Sequence, residues 1–107
     1  MGTETAPETP YVDFVESADE LRCVFLRRMD TLASTKAETV LNEKFSALAN
    51  RKIVFDLEKV DYVASSFLRL CVIASKASKG KFAMMNVTPT VRKVMKIAGF
   101  ESVAEII

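Results

Sequence analysis

The spacing of apolar positions along the chain switches repeatedly between that of a strand and that of a helix. Tyr11-Val12-Asp13-Phe14-Val15 roughly alternates and predicts a short strand. Ser17 to Glu20 reads as a turn, and Leu21 to Leu26, with Cys23, Val24 and Phe25, predicts a second strand, so the two are expected to form a hairpin. Asp30 to Asn50 reads as a loop and then a helix. Thr35 and Glu38 have capping-box spacing. Ala37, Val40, Leu41, Phe45 and Leu48 make one apolar stripe, and Asn50 suits the helix end.

Ile53-Val54-Phe55-Asp56-Leu57 is nearly continuous and apolar, which suits a central strand buried on both faces. Val60, Tyr62 and Val63 continue as a short extended piece. Two adjacent serines, Ser65 and Ser66, then begin a helical pattern in which Phe67, Leu70, Cys71, Ala74 and Ala77 form one stripe, widened by Leu68, Val72 and Ile73. Lys76, Ser78, Lys79 and Gly80 make a helix stop, with Gly80 free to take positive φ. Lys81 to Val87 predicts another strand. Thr88-Pro89 is a helix start, with hydroxyl at N-cap and proline at N1, for a stripe of Val91, Val94, Met95 and Ala98 that Gly99 ends. Phe100 to Ile107 holds a final strand or short helix. The order β-β-α-β-α-β-α with a closing element predicts an α/β domain: a mixed, partly parallel sheet of four to five strands with helices packed on it. Three helices for such a sheet leave one face less covered.

The 107 residues suit one domain over residues 11–107. Residues 1–10, rich in Thr and Pro with little to bury, are expected to be a disordered tail. The net charge of +1 gives no global field toward nucleic acid or an anionic membrane. Charge is nevertheless uneven, with nine acids against five bases in residues 1–50 and seven bases against two acids in residues 66–107. Most of the latter bases fall near helix ends, where they complement the dipole. A solvated face and a patch for an acidic partner are both open readings.

Chemistry is narrowed by what is missing. There is no histidine, which removes His-based triads and the common zinc sites. Cys23 and Cys71 sit inside apolar runs without CxxC spacing and read as buried thiols. No glycine motif suits a phosphate loop. An enzyme, a metal and a cofactor are therefore not expected. No apolar run approaches the roughly 20 residues of a membrane span, no signal peptide is visible, and Ala6 stands where a myristoylation motif needs Ser or Thr. The expectation is a soluble, cytoplasmic protein without direct membrane insertion. The serine pair has two readings: a helix cap, or a switch in which a phosphate, carrying about −1.5 to −2 charge, breaks a docked interface.

The segment Val60-Asp61-Tyr62-Val63-x-Ser65-Ser66-x-Leu68 after an apolar strand, the run Thr88-Pro89-x-Val91-x-x-Val94-Met95-x-x-Ala98-Gly99-Phe100, and the order of elements resemble STAS domains, the anti-sigma factor antagonists and their relatives. Phe25-Leu26-Arg27-Arg28-Met29-Asp30 is similar to the family's stretch before the first helix. The resemblance covers about residues 11–107 and implies a single STAS-like domain acting as a protein-protein interaction regulator in transcription signalling. In this family the unphosphorylated protein binds an anti-sigma factor that is also a serine kinase. Phosphorylation by that kinase releases it, and a phosphatase restores it. The family's segment is Asp-Ser-Ser-Gly-Leu, with phosphate on the second serine, which points to Ser66, with Ser65 beside it.

Three positions depart from the pattern: Ala64 replaces Asp, Phe67 replaces Gly, and Arg27 replaces Gly before Asp30. Phe67 lies on the helix stripe and is expected to be partly buried; exposed, it is an apolar anchor for a partner, and buried, it is only core. Asp30, Arg27, Thr31, Ser34, Ala64 and Phe67 are the partner-binding candidates, with Thr31 and Ser34 also possible modification sites and Asp30 alternatively a helix cap. Two other readings stay open. One is a non-phosphorylated STAS subunit of an ABC-type lipid transporter or a signalling scaffold. The other, of a different class, is a nucleotide-binding domain using the free helix start at Ser65-Ser66. A monomer or weak homodimer is expected, since an exposed first strand can pair with another chain.

Overall fold

The computed structural model describes residues 11–107, so the tail expected over residues 1–10 lies outside them. The order is β1 (Val12–Glu16), β2 (Glu20–Phe25), α1 (Thr31–Ser46), β3 (Lys52–Asp56), α2 (Ser65–Ala77), β4 (Phe82–Met85), α3 (Pro89–Ile97), a 3₁₀ turn (Phe100–Ser102) and β5 (Glu105–Ile106). The closing segment thus holds both alternatives, a short helical turn and a short strand. The strands lie in one sheet in sequence order, β1-β2-β3-β4-β5. β1 and β2 form the expected antiparallel hairpin, and every later pairing is parallel.

Register explains where the core sits. Val12 and Phe14 on β1, Leu21, Cys23 and Phe25 on β2, Ile53 and Phe55 on β3, and Phe82 and Met84 on β4 share one face. Strands that advance steadily in one direction through right-handed crossovers put every crossover helix on the same side of a sheet. The buried residues of α1 (Ala37, Leu41, Phe45), α2 (Phe67, Leu70, Cys71) and α3 (Val91, Met95) accordingly join this face in one core. On the other face Val54 and Ala83 are buried at the sheet centre, so β3 is enclosed on both sides, as its apolar run predicts. Both cysteines are free and buried, and burial pushes both thiols well above their usual range.

The start of α1 differs from the capping-box expectation. The helix begins at Thr31, with Asp30 as N-cap and its Oδ1 accepting from Ala33 N–H at 2.9 Å. Thr35 lies inside the helix, where its hydroxyl donates to Thr31 O at 2.8 Å, and Glu38 pairs with Arg69 at 3.2 Å. An aspartate whose carboxylate already satisfies a free N–H outcompetes a threonine further on. The helix ends at Ser46, and Ala49 and Asn50 take positive φ (57° and 66°) in the turn that follows. Ala98 is exposed rather than part of the α3 stripe.

Candidate functional site

All three parallel crossovers leave the carboxyl ends of their strands and enter helices at the same end of the sheet, which is where open α/β sheets place their sites. The loops there are stitched together by backbone hydrogen bonds. Met29, just before the α1 cap, donates its N–H to Tyr62 O and accepts from Ala64 N–H, both at 2.9 Å. This forms an isolated parallel bridge between Met29 and Val63. It prolongs the β2–β3 pairing past the strand ends and fixes the start of α2 beside the start of α1. Ser34 Oγ adds a bond to Met29 O at 3.3 Å. Thr88, at the N-cap of α3, does not cap its own helix; its hydroxyl donates to Val60 O at 2.9 Å and ties the third helix start to the same loop.

The α2 start is where the serines lie, but neither serine caps it. Ala64 occupies the N-cap and supplies no side-chain bond, while Ser65 and Ser66 are the first two helical residues. Ser65 is exposed. Ser66 is half-buried, and its Oγ is shielded from solvent with no hydrogen-bond partner. There is no acidic residue in the first turn of α2. An uncapped helix start with free N–H groups and the positive end of the helix dipole favours negative charge.

The other expected site residues divide sharply. Arg27, Thr31 and the capping Asp30 border this end, with Arg27 and Thr31 exposed. Phe67 and Ser34 do not offer themselves to a partner. Phe67 is wholly buried, edge to face against Phe25 at 5.1 Å and packed on Phe55 at 5.9 Å, so it anchors α2 to the sheet. Ser34 is wholly buried inside α1, not in a loop. The end gains residues that sequence reasoning passed over. Leu32 is 62% exposed and Tyr62 45% exposed, and Arg28 stacks over the Tyr62 ring at 4.7 Å. Leu32 carried a signal: it falls off the Ala33-Ala37-Leu41 stripe, so it cannot face the core. A groove of about 480 Å³ lined by Lys52, Lys81, Phe82, Val103 and Glu105 lies at the strands' opposite, amino-terminal end.

This hairpin, the four parallel strands and the serine-bearing helix start coincide with a match of residues 14–107 to the STAS domain. The chain belongs to the STAS domain family. A segment of 56 residues is 34% identical to BtrV of Bordetella bronchiseptica, assigned as an anti-sigma factor antagonist; the match covers 50% of this chain and 48% of that protein, so the chain spans about half the length of this curated relative. Among solved structures, a STAS domain protein from Planctomyces limnophilus superposes with a TM-score of 0.80 at 22% identity, over 89% of this chain and 87% of that one. The anti-sigma factor antagonist SpoIIAA in its unphosphorylated form gives 0.68 at 14% identity, over 90% and 86%. The phosphorylated form, described as a Bacillus cell fate determinant, also gives 0.68, at 15% identity over 90% of both chains. These structural likenesses establish a shared fold. No helix among the described residues is long and apolar enough to cross a membrane.

Proposed function

We propose that this STAS domain is a non-catalytic switch that docks on an anti-sigma factor with serine kinase activity and is released when a serine at the start of α2 is phosphorylated. The observation that carries this reading is the exposed Ser65 beside Ser66 on an uncapped, acid-free helix start, within a rim of exposed Arg27, Arg28, Thr31, Leu32 and Tyr62. Leu32 and Tyr62 supply the apolar contact that Phe67 does not. A phosphate there adds about −1.5 to −2 charge in the docking surface, and repulsion and desolvation then separate the partners. SpoIIAA, a fold neighbour, has been solved both with and without phosphate, which supports a phosphate switch on this fold.

Ser66 stands at the family's acceptor position. Its hydroxyl has no hydrogen bond to lose, so turning out toward a kinase breaks none. The test is to purify the protein from its own cells and locate phosphate by intact and fragment mass. One phosphate on the Ser65-Ser66 pair, absent in Ser66→Ala, is the expected result. Phosphate-free protein under every growth condition would overturn the switch.

A second reading has its own support. The shielded Ser66 hydroxyl and the absence of a carboxylate at Ala64 suit a constitutive, non-phosphorylated subunit of a lipid-transport ATPase or a scaffold. Co-purification of transporter or scaffold components with phosphate-free protein selects it. Calorimetric titration with ATP addresses nucleotide binding, for which the expected result is no heat; the groove lined by Lys52, Lys81 and Glu105 lies at the other end from the serines.

A further inference from the structure

The backbone of β1 alternates in direction. Leu26 N–H donates to Tyr11 O at 2.9 Å and Ser17 N–H donates to Glu20 O at 3.0 Å, which makes Tyr11 and Ser17 members of hydrogen-bonded pairs with β2. With the register Asp13↔Val24 and Val15↔Arg22, residues 11, 13, 15 and 17 point their N–H and C=O groups inward to β2. Val12, Phe14 and Glu16 point theirs outward, at the edge of the sheet among the described residues. Such an edge is a template for a further strand. The opposite edge, β5, is only two residues long, which is one of the ways edges are kept unreactive. β1 has five residues and Val15 is 55% exposed.

The β1 sequence suits pairing with itself. In an antiparallel pair centred on Phe14, Val12 faces Glu16 of the second copy, Asp13 faces Val15, and the two Phe14 rings face each other. No like charges oppose, and an aromatic pair sits on the axis, both of which favour cross-strand pairing. One feature obstructs it. Asp13 Oδ1 accepts the outward N–H of Phe14 at 2.9 Å, so the central donor of the edge is already occupied by an exposed carboxylate.

We propose that the outer edge of β1 is a self-pairing surface for a second copy of this chain, held shut by the Asp13 carboxylate on Phe14 N–H. Removing that acceptor frees the donor and lets two sheets join through their first strands. This places a second interface away from the α2 start, and the inference does not depend on the proposed switch.

Sedimentation velocity over a wide concentration range tests it on the full chain. Asp13→Ala should self-associate to dimers at least tenfold more tightly than the unaltered protein. Asp13→Asn keeps an oxygen that accepts from Phe14 N–H and should stay at the parent affinity. Adding Phe14→Pro to Asp13→Ala removes the outward donor while leaving the β2 ladder, which uses residues 13 and 15, and should abolish the dimer. Adding Val12→Pro, at another outward N–H, provides the same test without altering Phe14. Circular dichroism and melting temperature establish that each variant is folded. Equal association of Asp13→Ala and the parent overturns the proposal, as does a dimer that survives both proline variants or one that Asp13→Asn forms as readily as Asp13→Ala.

Discussion

Phe67 meets Phe25 edge to face, with ring centroids 5.1 Å apart and planes at 81°, two residues after the exposed Ser65. The residue that replaces the family's glycine therefore points down into the core, and the exposed apolar contact at this end falls to Leu32 and Tyr62 instead. Phe55 stands between Phe25, at 4.8 Å, and Phe82, also at 4.8 Å, so a chain of rings runs across β2, β3 and β4 beneath α2. Edge-to-face pairs contribute about 0.5–1.5 kcal/mol beyond area burial. Phe67→Ala should cost about 3–5 kcal/mol of unfolding free energy in urea denaturation. A loss under about 1 kcal/mol would mean that the ring is not the anchor of α2.

The two neighbouring helix starts are capped unequally, Asp30 serving α1 and Ala64 offering nothing to α2. Asp30→Ala should lower stability by about 1 kcal/mol through the lost bond to Ala33 N–H. Ala64→Asp should raise it by roughly 0.5–1 kcal/mol, because a carboxylate at that N-cap reaches free N–H groups and complements the dipole. Urea midpoints of the two variants and the parent check both directions.

Serine at the first turn of a helix usually helps, yet Ser66→Ala should stabilise. Its Oγ is shielded and unpartnered, and an unsatisfied buried hydroxyl costs about 1–3 kcal/mol. Alanine keeps the packing, removes that cost and is the better helix former. The expected gain is about 1 kcal/mol, whereas Ser65→Ala, at an exposed position, should change stability by less than about 0.5 kcal/mol. A destabilised Ser66→Ala would mean that the hydroxyl has a partner in solution.

Glu16 joins the end of β1 to α1 and to the start of β3. Its carboxylate accepts from Lys44 at 2.7 Å and from Arg51 at 2.9 Å, and these two bonds, Lys44 first, hold its pKa below the ordinary 4.5. A lowered folded-state value means stabilisation that is fully present above pH 4.5 and fades as pH falls through the lower folded value. Glu16→Gln should therefore be less stable than the parent at pH 7, with the two urea midpoints converging toward pH 3. The effect is small, since the pair is well exposed to solvent. Midpoints equally far apart at both pH values would remove Glu16 as the source.

Much of this molecule is determined by its sequence alone. Apolar spacing sets the order of strands and helices, because each element must present one face or stripe to a common core. The β-branched and aromatic run of Ile53–Leu57 requires a strand enclosed on both sides, and Thr88-Pro89 marks the α3 start, since proline suits a position whose N–H has no helical partner. The serine segment is visible as the transition from strand to helix. Local sequence does not choose among neighbouring candidates of equal chemistry. Asp30, Thr31, Ser34 and Thr35 are all residues that cap, and Asp30 prevails because the Met29–Val63 bridge holds the chain extended up to it. Ser65 and Ser66 are the same residue about 100° apart on a helix, and only the seating of α2 on the sheet exposes one hydroxyl and shields the other. Phe67 is buried by rings from β2 and β3, 42 and 12 residues earlier in the chain. The tertiary structure decides these points because each depends on which distant surface a side chain meets, and that is a property of how the elements pack.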